Sequence, residues 1–272
     1  MDLRDPWSTT EALLEPVASP LWLRLARADE MRCVRDAAAV LANTENAAEA
    51  LAAEHPGAVG KIWVVPNGWD GAATESAEVV PPRPRRPFTV SYVGTLYFDR
   101  SPRSLFRGLA CAIRKTGASP ATLRLEIMGR IENGSADQIA AMASQEGVED
   151  FLFIHPPGSR ADARALMDRS ALLVSLPWAH TLAVPAKIYE YMTFGAWLLV
   201  LERAGTAPAR MLDGSSALVV DPDDVAGIAE VLRQCYTSYS RGERPTPLAA
   251  AGRFSRREAV ATLATALDRA VS

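Results

Sequence analysis

The sequence predicts an α/β protein built on a doubly wound parallel sheet, and three observations carry that expectation. Short apolar, β-branched runs alternate with longer amphipathic ones along most of the chain. Such alternation implies strand–helix–strand units, with parallel strands covered on both faces. A proline-rich stretch, D-G-A-A-T-E-S-A-E-V-V-P-P-R-P-R-R-P (70–87), breaks the rhythm once and divides the chain unequally. The 272 residues, 49% apolar and 22% charged, have the profile of a globular chain with a sizeable core.

Before the break, A-A-A-V-L-A (37–42) and K-I-W-V-V (61–65) read as strands, with helical patterns over 21–36 and 44–54 and a strand remnant at Met1–Leu3. After it, F-T-V-S-Y-V (88–93), L-R-L-E-I-M (123–128), F-L-F-I (151–154), A-L-L-V-S-L (171–176), A-W-L-L-V-L (196–201) and A-L-V-V (217–220) read as strands. Helical patterns over 101–116, 134–146, 160–169, 185–194 and 223–237 separate them, and a last helix runs from about Ser255 to Ala270. The expected organisation is therefore a partial domain over 1–70, a linker over 71–87, a complete doubly wound domain over 88–254 and a closing helix over 255–272. Within the linker, R-P-R-R-P could meet phosphates, but a solvated connector is the favoured reading.

A net charge of −3 gives no global electrostatic case for nucleic acid or an acidic membrane as partner. No apolar run approaches the roughly 18 residues of a membrane span, and the start, M-D-L-R-D-P-W, lacks a signal pattern. Cys33, Cys111 and Cys235 lie far apart, form an odd set and contain no C-x-x-C spacing, which fits a reduced cytoplasmic protein. No His/Cys/Asp spacing suggests a metal site, and no cofactor is expected. G-x-G-x-x-G and G-x-S-x-G are both absent, and G-A-V-G-K (57–61) is too short for a P-loop. His55, in the turn E-H-P-G, reads as exposed, whereas His155 and His180 fall beside the ends of strands.

Three loops could hold a ligand at one sheet edge. V-P-A-K-I-Y-E-Y-M-T-F-G (184–195) places Pro185 at a helix start and Gly195 at its stop. Pro185 lacks an N–H, but next to it and Val184 the amides of Ala186, Lys187 and Ile188 would meet a phosphate, with the lysine adding a full charge. Glu190, one turn on, could accept from a ribose diol. The alternative is that Lys187 and Glu190 form an i,i+3 surface pair. In Y-V-G-T-L-Y-F-D-R-S-P (92–102), Gly94 and Thr95 follow a first strand and Arg100 could fork onto a diphosphate. In I-M-G-R-I-E-N-G (127–134), Gly129 and Arg130 stand at the same edge.

Together these blocks resemble glycosyltransferase family 4, retaining enzymes of the two-domain GT-B fold. The similarity extends to D-L-R-D-P-W (2–7), L-A-N-T-E (41–45), K-I-W-V-V-P-N-G-W-D (61–70) and V-V-D-P-D-D (219–224), in the family's order along nearly the whole chain. The resemblance implies a Rossmann-like C-terminal domain that binds a nucleoside-diphosphate-sugar as substrate, with no bound metal. Sugar transfer would be to a carbohydrate, lipid-linked or small-molecule acceptor, and peripheral membrane contact is left open. It implies that Glu190 meets the nucleotide ribose as the second glutamate of E-x7-E. It implies that Gly94 admits the diphosphate, that Arg100 neutralises it, and that Lys187 belongs to a P-x-K-x-x-E variant.

Two departures accompany the resemblance. Leu182 stands where the first glutamate of E-x7-E would be, so the sugar hydroxyl needs another partner, with His180 or Thr181 as candidates. D-L-R-D-P-W lies well inside the first domain in the family but begins this sequence, so the expectation is a shortened first domain and impaired transfer. A non-catalytic nucleotide-sugar-binding module or partial subunit is the second reading. A GT-B 2-epimerase is the third, without recognisable acid–base residues of its own.

Overall fold

The computed structural model describes residues 1–3, 19–69, 86–97, 100–132, 134–178, 181–252 and 254–271. D-L-R-D-P-W beyond Leu3, the linker before Arg86, and His180 lie outside the described residues.

The chain order is α1 (Pro20–Asp36), β1 (Val40–Ala42), α2 (Glu45–Glu54), β2 (Ile62–Val64), β3 (Phe88–Val93), α3 (Arg103–Thr116), β4 (Leu123–Met128), α4 (Ala136–Gln145) and β5 (Leu152–His155). Then follow α5 (Arg160–Arg169), β6 (Leu172–Ser175), α6 (Ala186–Tyr191), β7 (Trp197–Leu201), α7 (Ala207–Leu212), β8 (Leu218–Val220), α8 (Val225–Ser240) and α9 (Arg256–Val271). Short 3-10 turns occupy Pro56–Lys61, Glu149–Phe151 and Leu248–Ala251.

β3 to β8 form one six-stranded sheet in the order β5-β4-β3-β6-β7-β8, with every pairing parallel. The order reverses between β3 and β6, which makes their carboxyl ends the switch-point crevice where open α/β sheets hold ligands. β3 is buried along its whole length, as a central parallel strand must be. Alternate side chains feed two cores. Val90, Tyr92, Leu172 and Val174 face Phe106 and Leu109 of α3 and Ile228 and Leu232 of α8. Val93, Leu173, Leu198 and Val200 face Leu166 of α5 and Ile188 and Tyr191 of α6.

Local chemistry fixes the helix ends. Ser135 with Gln138, and Ser159 with Asp162, close capping boxes at α4 and α5, while Asp224 accepts from the Gly227 amide at α8. α6 is shorter than the segment 185–194 expected, because the chain turns after Tyr191. α7 was not expected from the sequence: T-A-P-A-R-M-L is too short to show a helical period.

β1 and β2 pair in parallel, and the Met1–Leu3 remnant extends that ladder, with Leu3 donating to the Leu41 carbonyl at 2.9 Å. Their core is small: Leu3, Val34, Val40, Ala42, Ala47, Leu51 and Ala58. α1 leaves Leu21, Trp22, Leu25 and Met31 exposed. His55 is not the exposed turn residue expected; its Nε2 lies 2.9 Å from Oε1 of the fully buried Glu30. α9 returns to this region, its first residues pairing with Trp69 and Arg269 lying over the Trp63 ring at 5.3 Å.

Candidate functional site

The ends of β3 and β4 meet through two glycines. Gly94 has φ +124 and Gly129 has φ +144, values that L side chains rarely adopt. A Cβ on Gly129 would stand 2.3 Å from the Gly94 carbonyl oxygen, so the two backbones touch only because neither carries a side chain. The ladder continues past them, with the Gly94 amide donating to Met128 O and the Leu96 amide to Arg130 O, each at 2.8 Å. The Arg130 side chain itself is exposed, and its position links it to the site only through this backbone bond.

Lys187 turns inward from α6 onto this floor. Its Nζ lies 3.6 Å from the centre of the Tyr92 ring, a cation–π contact, and would be 3.1 Å from a Cβ on Gly94. The Tyr92 hydroxyl donates to the Thr95 carbonyl at 2.7 Å, which ties the loop after β3 to the same ring. Nζ is buried and has no hydrogen-bond partner among the described residues. Burial first, and the neighbouring Arg100 charge second, hold the ammonium down to a pKa of about 6. Glu190 is exposed and makes no ion pair with Lys187, so the surface-pair alternative fails.

Arg100 is buried and lies over two rings, 4.6 Å from the Trp178 centre and 5.2 Å from that of Tyr97. Glu202, the residue after β7, is 4% exposed and accepts a bond from the Trp178 backbone amide. Its carboxyl is pushed up to about 7, burial raising it most, with the Trp178 amide, Arg100 and the Thr206 hydroxyl pulling back. Among the described residues, six buried side-chain atoms lack a hydrogen-bond partner, and four of them belong here: Arg100 Nε, Ser175 Oγ, Lys187 Nζ and Glu202 Oε1. Buried polar groups are normally paired. Their concentration at the carboxyl ends of β3, β6 and β7 marks a polar site rather than scattered defects.

Val184 and Pro185 are buried and seat the start of α6, with Ala186 exposed. Of the backbone donors expected there, Ile188 is already used, its amide bonded to Pro185 O at 2.9 Å. Ala186 and Lys187 are left to open the helix. Thr181 is exposed and its carbonyl accepts from the Ala207 amide at 2.8 Å. Leu182 packs against the small core of the β1–β2 region, and its carbonyl accepts from the Thr44 hydroxyl at 2.5 Å.

Three residues that matter here escaped the sequence reading. Trp178 lies against Arg100, Glu202 accepts from the Trp178 amide, and Tyr191 clamps α6 to β3. β3 and β6 pair only at Val90–Leu172 and Ser91–Leu173, beyond which the strands part. The Tyr191 hydroxyl fills the gap, donating to Val93 O and accepting from the Val93 amide, both at 2.8 Å. Tyr191→Phe leaves both buried backbone groups unpaired and is expected to cost about 2–3 kcal/mol. Thermal unfolding within about 1 °C of wild type would show that the clamp carries no such weight.

No family model matches the chain. A D-inositol 3-phosphate glycosyltransferase of Arthrobacter sp. strain FB24 is 26% identical over 244 residues, which are 86% of this chain and 56% of that protein. The chain thus spans about half the length of the curated relative it matches. Among solved structures, HepE of Anabaena in complex with UDP and glucose aligns with TM-score 0.70 and 16% identity, covering 98% of this chain and 70% of that one. The apo lipopolysaccharide outer core galactosyltransferase WaaB aligns with TM-score 0.65 and 20% identity, covering 89% and 63%. TarM of S. aureus, in a complex that contains UDP, aligns with TM-score 0.64 and 12% identity, covering 91% and 47%. The chain has the α/β fold of these GT-B glycosyltransferases over part of their length, and its relatives are retaining, family-4-like glycosyltransferases.

Proposed function

We propose that this chain carries the donor-binding part of a retaining glycosyltransferase. Such an enzyme moves a sugar from a nucleoside-diphosphate-sugar to an acceptor hydroxyl. In this reading residues 88–254 are the donor domain and 1–70 belong to the acceptor-side domain. The observation that carries it is the buried amine of Lys187, unpaired among the described residues, set against the Gly94 backbone and beside a buried cation, Arg100. Burial and the Arg100 charge keep this amine from holding its proton, and an anion between the two groups lets it charge and pairs them both. A diphosphate fits because the glycine pair lets it approach the backbone, while the amides of Ala186 and Lys187 add donors.

When the bond from the anomeric carbon to the diphosphate breaks, negative charge grows on the leaving phosphate. Lys187 and Arg100, fixed in a largely dry setting, stabilise that charge more than water would. Glu190, exposed one turn along α6, is assigned to the ribose hydroxyls. Thr95, Thr181, Val184, Pro185 and Arg130 are assigned to the donor site by their positions at this sheet edge. A nucleoside-diphosphate-sugar donor supports a cytoplasmic location, and the acceptor in this reading is a carbohydrate, lipid-linked or small-molecule hydroxyl.

Leu182 favours a second reading, a nucleotide-sugar-binding module without transfer. The position of the first E-x7-E glutamate is filled by an apolar side chain committed to packing. Calorimetric titration with UDP, GDP and dTDP, repeated on Glu190→Ala, tests the shared part of both readings. One nucleotide is expected to bind, with UDP tried first because structural neighbours are recorded with UDP and UDP-glucose. Glu190→Ala is expected to weaken it about 10-fold, or about 1.4 kcal/mol. A folded wild-type chain that binds none of the three would overturn the proposal.

A further inference from the structure

We propose that Glu202 is a positioning residue for the anion site, holding Arg100 in place through Trp178. The inference rests on the nucleotide reading above and adds a residue to it.

The geometry forms a chain of contacts. Glu202 follows the carboxyl end of β7, the strand next to β6, and its side chain is 96% shielded, with a relative exposure of 4%. Its carboxylate accepts from the Trp178 amide and lies beside the Thr206 hydroxyl. Thr206 is in turn pinned, its hydroxyl donating to Arg203 O at 2.9 Å in the loop between β7 and α7. The Trp178 ring lies 4.6 Å from the Arg100 guanidinium, and the Tyr97 ring covers it at 5.2 Å. A guanidinium lying over aromatic rings keeps its rotamer but retains donors for a ligand. Arg100 Nε is buried without a partner among the described residues, as is Glu202 Oε1, so the two opposite charges sense each other without closing a direct bond.

That arrangement has a physical logic. A direct Glu202–Arg100 ion pair would occupy the donors that a phosphate needs. An apolar residue at 202 would leave the Trp178 amide without this acceptor and would remove the carboxylate whose charge the buried guanidinium senses. The observed arrangement steadies Arg100 and moderates its repulsion with Lys187 while leaving its fork open. Nothing in composition or spacing points to this role, because it depends on contacts between three loops.

A double-mutant cycle on UDP binding tests it, using the full chain and calorimetry. Glu202→Ala is expected to weaken UDP about 10-fold in the wild-type background and less than about 2-fold in an Arg100→Met background, since coupled residues are non-additive. Glu202→Gln keeps an acceptor for the Trp178 amide and is expected to restore most of the loss. Equal losses in both backgrounds, tracking a fall in melting temperature, would show that Glu202 supports only the fold. Unchanged UDP affinity in Glu202→Ala would overturn the inference while the wild-type affinity leaves the nucleotide site standing. Absence of UDP binding by the wild type would overturn both.

Discussion

Lys187→Met is expected to abolish measurable UDP binding while making the protein more stable. The two effects share one cause. The amine is buried, unpaired among the described residues and next to Arg100, so folding must strip its proton and desolvate a polar group. A methionine of similar length fills the same space over the Tyr92 ring without that penalty. The gain is expected at about 1–2 kcal/mol near neutral pH, read as a rise in melting temperature of a few degrees. The loss in binding is expected to be at least about 100-fold, because removing one partner of a desolvated charge pair costs several kcal/mol. A variant that is less stable than wild type and still binds UDP normally would mean that Lys187 is a packing residue.

The same group makes binding and stability depend on pH, with a sign that can be worked out. In the folded chain the Lys187 pKa is lowered to about 6, whereas an unfolded lysine titrates near about 10.4. Between those values the unfolded chain holds the proton and the folded chain does not, so this group's contribution to stability rises with pH across that window. Lys187→Met flattens that slope. A bound diphosphate reverses the preference, since an anion beside the amine favours the ammonium. UDP-glucose binding at about pH 7.5 is therefore expected to take up roughly one proton, with Glu202 adding a fraction because its carboxyl is pushed up to about 7. Calorimetry in buffers of different ionisation enthalpy reads that number directly. UDP-glucose suits the purpose because its esterified diphosphate has no proton of its own to exchange near neutrality. Affinity that is flat from pH 6 to pH 9, with no proton uptake, would contradict the assignment of Lys187 to the phosphate.

How much of this was legible in the sequence differs between scaffold and site. β3 and β4 match the expected limits, 88–93 and 123–128, because each places apolar residues at every second position and is closed by a glycine. Alternation of that kind is a strand signature. The switch-point glycines and Lys187 were legible as positions for the same reason, since they follow strands or open a helix at one edge. What the sequence could not show was direction. Lys187 and Glu190 share a helical face by spacing, yet the long lysine stem curls under toward Gly94 while the glutamate stays in water. Tyr191 and Glu202 were illegible for a related reason. Their partners, Val93 in one case and Trp178 in the other, are distant in sequence and meet them only when the loops at the sheet edge are assembled.

Gly129→Ala is expected to damage both fold and site, and comparison with Gly94→Ala separates the two contributions. At Gly129 the added Cβ would stand 2.3 Å from the Gly94 oxygen and 2.6 Å from its carbonyl carbon. Those atoms are backbone, so no rotamer change relieves the clash, and the φ of +144 adds strain for any L side chain. A loss of about 2–4 kcal/mol is expected, together with at least about 10-fold weaker UDP binding as the floor under Lys187 shifts. At Gly94 the added Cβ meets only the flexible end of Lys187, 3.1 Å from Nζ, although the φ of +124 is again unfavourable. Gly94→Ala should therefore cost less stability than Gly129→Ala but as much binding, because its methyl group stands where a phosphate would approach the backbone. Melting curves and UDP titrations on the two variants measure both quantities. If Gly94→Ala lost stability without losing affinity, the close approach of ligand to this strand end would be refuted. The two glycines would then serve only to let β3 and β4 touch.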